Sequence, residues 1–127
     1  MGSWKSYLHR RRKAFGYAFA GIGRLIKGEA HARLHVVSAI LAIAFGLWLG
    51  IDRWEWVAVI ICIGGVFMAE AFNSAVERLA DRVTSDFDPL IGEAKDLAAG
   101  AVLLFSIATL IVAAIIYIPR LITLFIS

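Results

Sequence analysis

Glu70, Asn73, Glu77 and Asp81 are the residues of this chain whose types and spacing best suit chemistry. At about 100° per helical residue they point to roughly 0°, 300°, 340° and 20°, an arc of about 80° on one helix face. At about 1.5 Å per residue this polar stripe is some 16 Å long. Its three carboxylates repel one another and require cations, from basic side chains or from a metal. Oxygen-only donors suit Mg2+, which is usually held by one or two carboxylates together with substrate phosphates. Glu29 offers one more such oxygen beside Glu77. His31 and His35 stand four apart, as a zinc pair would. No third ligand follows in a metal-site pattern, so they read as interfacial polar residues.

Beyond the stripe runs Thr84 to Asp96, where Pro89 and Gly92 mark a turn and Lys95 and Asp96 open the next helix. A lysine at a helix N-terminus opposes the macrodipole unless an anion sits there. Helix N-termini bind phosphate, and Lys95 adds a point charge to that capacity. Other phosphate signatures are missing: Gly16, Gly21 and Gly23 are not followed by the Lys-Ser/Thr pair of a P-loop. The soluble-kinase signature set is absent too, and no Ser-His-Asp arrangement stands out.

The elements that must position these groups are set by composition. Of 127 residues, 61% are apolar and 18% charged, with a mean hydropathy of +0.79. A soluble domain this small has too little interior to hide so much apolar side chain. The single cysteine, Cys62, excludes an intrachain disulfide. Three apolar stretches, about 34–51, 54–82 and 96–119, are long enough for membrane spans. Spans this apolar are helices, because an open sheet would leave backbone groups unpaired in lipid. Residues 4–30 place Trp4, Leu8, Phe15, Phe19 and Ile22 at helical spacing among arginines and lysines. That pattern predicts an amphipathic helix lying on the membrane surface. The expected fold is an all-α membrane protein of one domain, residues 1–127: a surface helix and three transmembrane helices.

The net charge of +3 is read as an attraction to anionic lipid and a topology signal, with no nucleic-acid partner. The N-terminal region and the loop at 78–96 hold 11 of the 13 basic residues. The positive-inside rule therefore puts both in the cytoplasm and the C-terminus outside.

The run Glu70-Ala-Phe-Asn73-Ser74-Ala-Val-Glu77-Arg-Leu-Ala-Asp81, followed by Ala94-Lys95-Asp96 and Ala98-Ala99-Gly100-Ala101-Val102, resembles the prokaryotic diacylglycerol kinase family. The resemblance extends from Gly16-Tyr17 and Glu29 through all three spans. It implies a small lipid kinase of the bacterial plasma membrane. That kinase would be a homotrimer with sites shared between subunits, using ATP and Mg2+ on a membrane lipid alcohol. It implies that Glu70 takes the proton of the lipid hydroxyl and that Glu29 and Glu77 hold the metal beside ATP. Asn73, Lys95 and Asp96 would line the nucleotide, Arg10 and Tyr17 would approach it from the surface helix, and Asp86 and Asp88 from the loop. Ala99, with Glu70, would meet the lipid. Family members often carry His at position 88, where this chain has Asp88. The stretches Phe87–Leu90 and Ala98–Leu104 are closer to the undecaprenol branch than to the diacylglycerol branch.

Two other readings use the same residues. An oligomeric ion-binding transporter would use Glu70 as its ion site, and a scaffold would use the stripe to clamp helices. Glu70 is the fifteenth residue of the 21-residue run from Trp56 to Val76, which the charge rule starts outside. A transporter acid is expected nearer the midplane and needs no carboxylate–lysine cluster at the cytoplasmic end. The topology is testable by labelling intact cells with an impermeant thiol reagent. A cysteine placed at Ser127 should react and one at Ser85 should not; the opposite pattern would invert the chain.

Overall fold

The structure, a computed structural model, describes residues 4–126; Ser127, expected on the outer side, lies outside the described residues. Four helices follow in order: α1 (Trp4–Gly28), α2 (Ala30–Leu49), α3 (Arg53–Val83) and α4 (Pro89–Ile126). The last three are long and apolar enough to cross a membrane.

α1 stops at Gly28 and α2 starts at Ala30, four residues before the span expected from 34. One residue, Glu29, separates them in an extended conformation (φ −110°, ψ 123°). Backbone hydrogen bonds continue across it, from Glu29 N–H to the Leu25 carbonyl at 3.0 Å and from Arg33 N–H to the Glu29 carbonyl at 3.3 Å. The junction is thus a kink between two helices rather than a loop. A Cβ on Gly28 would meet Nη2 of Arg78 at 3.3 Å, so the bare glycine leaves room for that guanidinium.

The α2–α3 turn is built from end chemistry. Gly50 adopts the left-handed conformation (φ 60°, ψ 50°), and its N–H returns to the Gly46 carbonyl. A side chain resists that backbone and glycine does not. Asp52 then caps α3: its Oδ1 accepts from Trp54 N–H at 2.8 Å and Glu55 N–H at 3.0 Å. Glu55 Oε2 in return accepts from Asp52 N–H at 2.7 Å, which completes a capping box. Arg120 of α4 pairs with Glu55 and donates to the Gly50 carbonyl at 3.4 Å. Next to this end, Ile51, Val59 and Ile116 form the buried cluster, with Trp56 and Tyr117 against it. The Tyr117 hydroxyl donates to the Ala42 carbonyl at 2.8 Å, tying α4 to α2. Further along, α3 and α4 approach closely at Gly65, where a Cβ would lie 2.0 Å from the Phe105 ring.

α4 corrects two expectations. It begins at Pro89, not at 96, and runs past Pro119 to Ile126. Asp88 caps it, its Oδ1 accepting from Leu90 N–H at 2.9 Å and Ile91 N–H at 3.2 Å. Proline is pre-organised for the first helical position, where its missing N–H costs nothing. Pro89 and Gly92 therefore start a helix instead of breaking one. Lys95 lies in the second turn rather than at the N-terminus, so the macrodipole does not oppose it as expected.

The two amides that Asp52 accepts, Glu55 N–H and then Trp54 N–H, hold its pKa below the ordinary carboxylate value. Its contribution to stability is therefore complete above that ordinary range and disappears as pH falls through the lower folded value. Asp52→Ala should lower the melting temperature in detergent at neutral pH by a few degrees. The difference from the parent should close below about pH 4. A difference that persists undiminished at pH 3 would remove the ionised cap from the account.

Candidate functional site

The stripe on α3 is graded by depth. Glu70 is buried, 5% exposed; Asn73 and Glu77 are half-buried and Asp81 is exposed. Each polar group meets a different partner. Glu70 Oε1 lies 3.0 Å from Nε2 of His35 on α2. Glu77 Oε1 accepts from Asn73 Nδ2 at 3.4 Å. Asp81 Oδ1 accepts from Lys95 Nζ at 3.0 Å, which bridges α3 to α4. The stripe thus meets a histidine at its buried end and a lysine at its exposed end. Among the described residues, Glu77 is the one stripe carboxylate with no basic side chain at ion-pair distance.

Sequence reasoning assigned His35 to the interface and missed its pairing. Its signal was its isolation, as the only ionisable side chain between Leu34 and Ile51. The role of Arg78 was also missed. It follows Glu77 on α3 and its Nη2 donates to Glu29 Oε1 at 3.3 Å, which ties the α1–α2 junction to α3.

The α3–α4 connection surrounds a cleft of about 380 Å3 lined by Asp81, Thr84, Asp86, Asp88, Gly92 and Lys95, among others. Asp86 N–H donates to Thr84 Oγ1 at 3.0 Å, which shapes the loop. Expected nucleotide residues Asp86, Asp88 and Lys95 therefore share one cavity. Asp96 and Ala99 are exposed on α4 and do not line that cleft. Arg10 and Tyr17 are exposed on α1, away from any hydrogen bond to the stripe. A second cleft, of about 580 Å3 and almost wholly apolar, lies between α1 and α3, lined by Ala18, Ile22, Leu25, Phe67, Met68 and Ala71, among others.

Among the described residues, no three His, Cys, Asp or Glu side chains gather into a metal cage. The donors present fit a different kind of metal site. Oδ1 of Asn73 is buried without a hydrogen-bond partner, beside the carboxylate of Glu77. An amide oxygen and a carboxylate without a cation are hard donors, suited to Mg2+ that arrives with phosphates and keeps most of its other ligands.

The family model described as prokaryotic diacylglycerol kinase matches residues 16–117. Among curated relatives, the chain is 32% identical to the undecaprenol kinase of Bacillus subtilis over 117 residues, which covers 92% of this chain and 95% of that protein. It is 35% identical to the diacylglycerol kinase of Escherichia coli K12 over 99 residues, covering 78% and 81%. The diacylglycerol kinase of Pseudomonas aeruginosa is 33% identical over 94 residues, covering 74% and 76%.

The geometry of Asp88 yields a test of its role. Asp88→Ser retains an N-cap oxygen, whereas Asp88→Ala removes it at a cost of about 1 kcal/mol. If capping is its function, Asp88→Ser should melt like the parent and keep its KM for ATP within about twofold. An unchanged melting temperature with a KM raised tenfold would assign the carboxylate to the nucleotide instead.

Proposed function

The chain belongs to the prokaryotic diacylglycerol kinase family, and on that premise we propose that it transfers the γ-phosphate of MgATP to the hydroxyl of undecaprenol. Membership in a kinase family removes the ground for reading Glu70 as an ion-transport site. The choice of lipid is supported by the match to undecaprenol kinase over 92% of the chain and by the stretches around Phe87 and Ala99. Diacylglycerol, giving phosphatidic acid, is the second reading, favoured by the 35% identity to the Escherichia coli enzyme.

The observation that carries the mechanism is the grading of the stripe. Glu70 is buried about 10 Å along the helix from Glu77, the stripe carboxylate that lacks a cationic partner. A lipid hydroxyl comes from the hydrocarbon side and a nucleotide from water, so their acceptor groups belong at these two depths. Glu70 accepts the proton of the lipid hydroxyl as the oxygen attacks the γ-phosphorus. Glu77, Asn73 and Glu29 would hold the Mg2+ that arrives with ATP, which would supply neutralisation of phosphate charge. Lys95 lends a cation at the mouth of the loop cleft, where Asp86 and Asp88 border the nucleotide. Asp96, exposed on α4 outside that cleft, would approach the nucleotide from there, and Arg10 and Tyr17 from α1. Phosphoryl transfer asks for positioning and charge neutralisation more than covalent help. The apolar cleft between α1 and α3 receives the lipid chain, and Ala99, exposed on α4 outside that cleft, would meet the lipid separately.

α1 lies on the inner membrane surface as an amphipathic helix, with the N-terminus in the cytoplasm and the C-terminus outside. The chain works as a homotrimer in the bacterial plasma membrane. Support comes from Arg10 and Tyr17, which lie outside the hydrogen-bonded stripe of their own chain and are free to serve a neighbour's site.

Purified protein with MgATP should phosphorylate undecaprenol faster than diacylglycerol when both are offered in parallel; the reverse order would select the second lipid, and no lipid phosphate would reject the kinase. Glu70→Gln keeps shape and hydrogen bonding but removes basicity. It should cost at least about a hundredfold in turnover at saturating lipid, with ATP affinity little changed. Glu77→Gln should abolish turnover in a protein that still assembles. Near-native turnover in either variant would overturn that residue's role.

A further inference from the structure

A carboxylate has two oxygens, and the structure commits one of them. Oε1 of Glu70 lies 3.0 Å from Nε2 of His35, and the two side chains are 7% and 21% exposed. A carboxylate that is to act as a base only accepts hydrogen bonds, so on that reading of Glu70 the proton of this contact sits on Nε2. Among the described residues, the other carboxylate oxygen, Oε2, takes part in no hydrogen bond. The imidazole also borders a cavity of about 80 Å3, lined by Ser38, Ala42, Val66, Phe67 and Thr109, among others. The ring is therefore not wedged by packing on every side, and the contact with Glu70 is its one hydrogen bond among the described residues. Among the described residues, neither hydroxyl on this cavity binds the ring: Ser38 Oγ donates to the Leu34 carbonyl at 3.0 Å, and Thr109 Oγ1 has no partner.

We propose that His35 is a positioning residue for phosphoryl transfer, its Nε2–H tying Oε1 of Glu70 so that Oε2 faces the lipid hydroxyl. The inference rests on the reading of Glu70 as the acceptor of the lipid proton. In the step, the hydroxyl O–H bond breaks and its proton passes to Oε2. The lipid oxygen forms a bond to the γ-phosphorus of ATP, and the bond from that phosphorus to the β,γ-bridging oxygen breaks, releasing ADP. His35 neither gains nor loses a proton. It keeps the carboxylate from rotating. A hydrogen bond to a charged group is among the stronger ones, and its loss from a general base reduces turnover without touching the nucleotide.

The test compares two amides of different reach in the full-length protein. The side-chain nitrogen of Gln can occupy the place of Nε2, whereas that of Asn reaches only the level of Nδ1. His35→Gln should keep turnover within about threefold of the parent, and His35→Asn should lose about tenfold or more in kcat, with KM for ATP unchanged in both. In a Glu70→Gln background, His35→Asn should cost no further activity, because His35 acts only through Glu70. Equal turnover for the Gln and Asn variants would overturn the proposal, as would a loss that persists undiminished in the Glu70→Gln background. If His35→Asn fails to fold, His35→Gln still decides: a folded His35→Gln with turnover down tenfold overturns the rescue. If Glu70→Gln alone retains parental turnover, the base reading itself fails. Loss in Glu70→Gln with none in His35→Asn discards only the role of His35.

Discussion

An acidic side chain within an apolar span needs a partner, because hydrocarbon offers neither water nor counter-ions. Glu70 is the point where this protein meets that requirement, and much of the arrangement follows from it. Its contact with His35 sets α2 beside α3 at one depth. From there the polar groups of α3 emerge in order toward Asp81, which meets Lys95 on α4. The three long apolar helices thus acquire a polar seam from a buried end to an exposed one. Among the described residues, the middle of that seam, at Glu77, has no basic side chain at ion-pair distance.

The opposite end of the bundle is held by other means. Gly50, Asp52 and Glu55 satisfy one another's backbone groups, and Arg120 joins them from α4. Tyr117 adds a hydrogen bond to the α2 backbone. None of these groups lies on the stripe. The division leaves the seam free to be shaped by its ligands while the turn between α2 and α3 sets the packing of the spans.

Periodicity alone revealed which residues share a face of α3, and the order of burial along that face agrees with it. Three long apolar helices were legible from composition for the same reason: both properties are encoded within a single element. Pairing between elements was not. His35 meets Glu70 because of the register of α2 against α3, which no spacing within either helix contains. Glu29 meets Arg78 across a kink that the sequence does not mark. At 88–92 the information was present but ambiguous. Asp followed by Pro is a helix-start signal, and Pro with Gly is a turn signal. The two amides that Asp88 Oδ1 accepts decide for the first.

The one-residue junction at Glu29 has a mechanical side. α1 has 25 residues, so it is a rod of about 37 Å, and rotating it by about 10° at its base moves the far end by about 6 Å. The pivot of this lever is the same residue whose carboxylate is tied to Arg78. Any ligand that draws Glu29 away from that guanidinium acts where leverage is greatest, and a displacement of a fraction of an ångström there is magnified many times at Trp4.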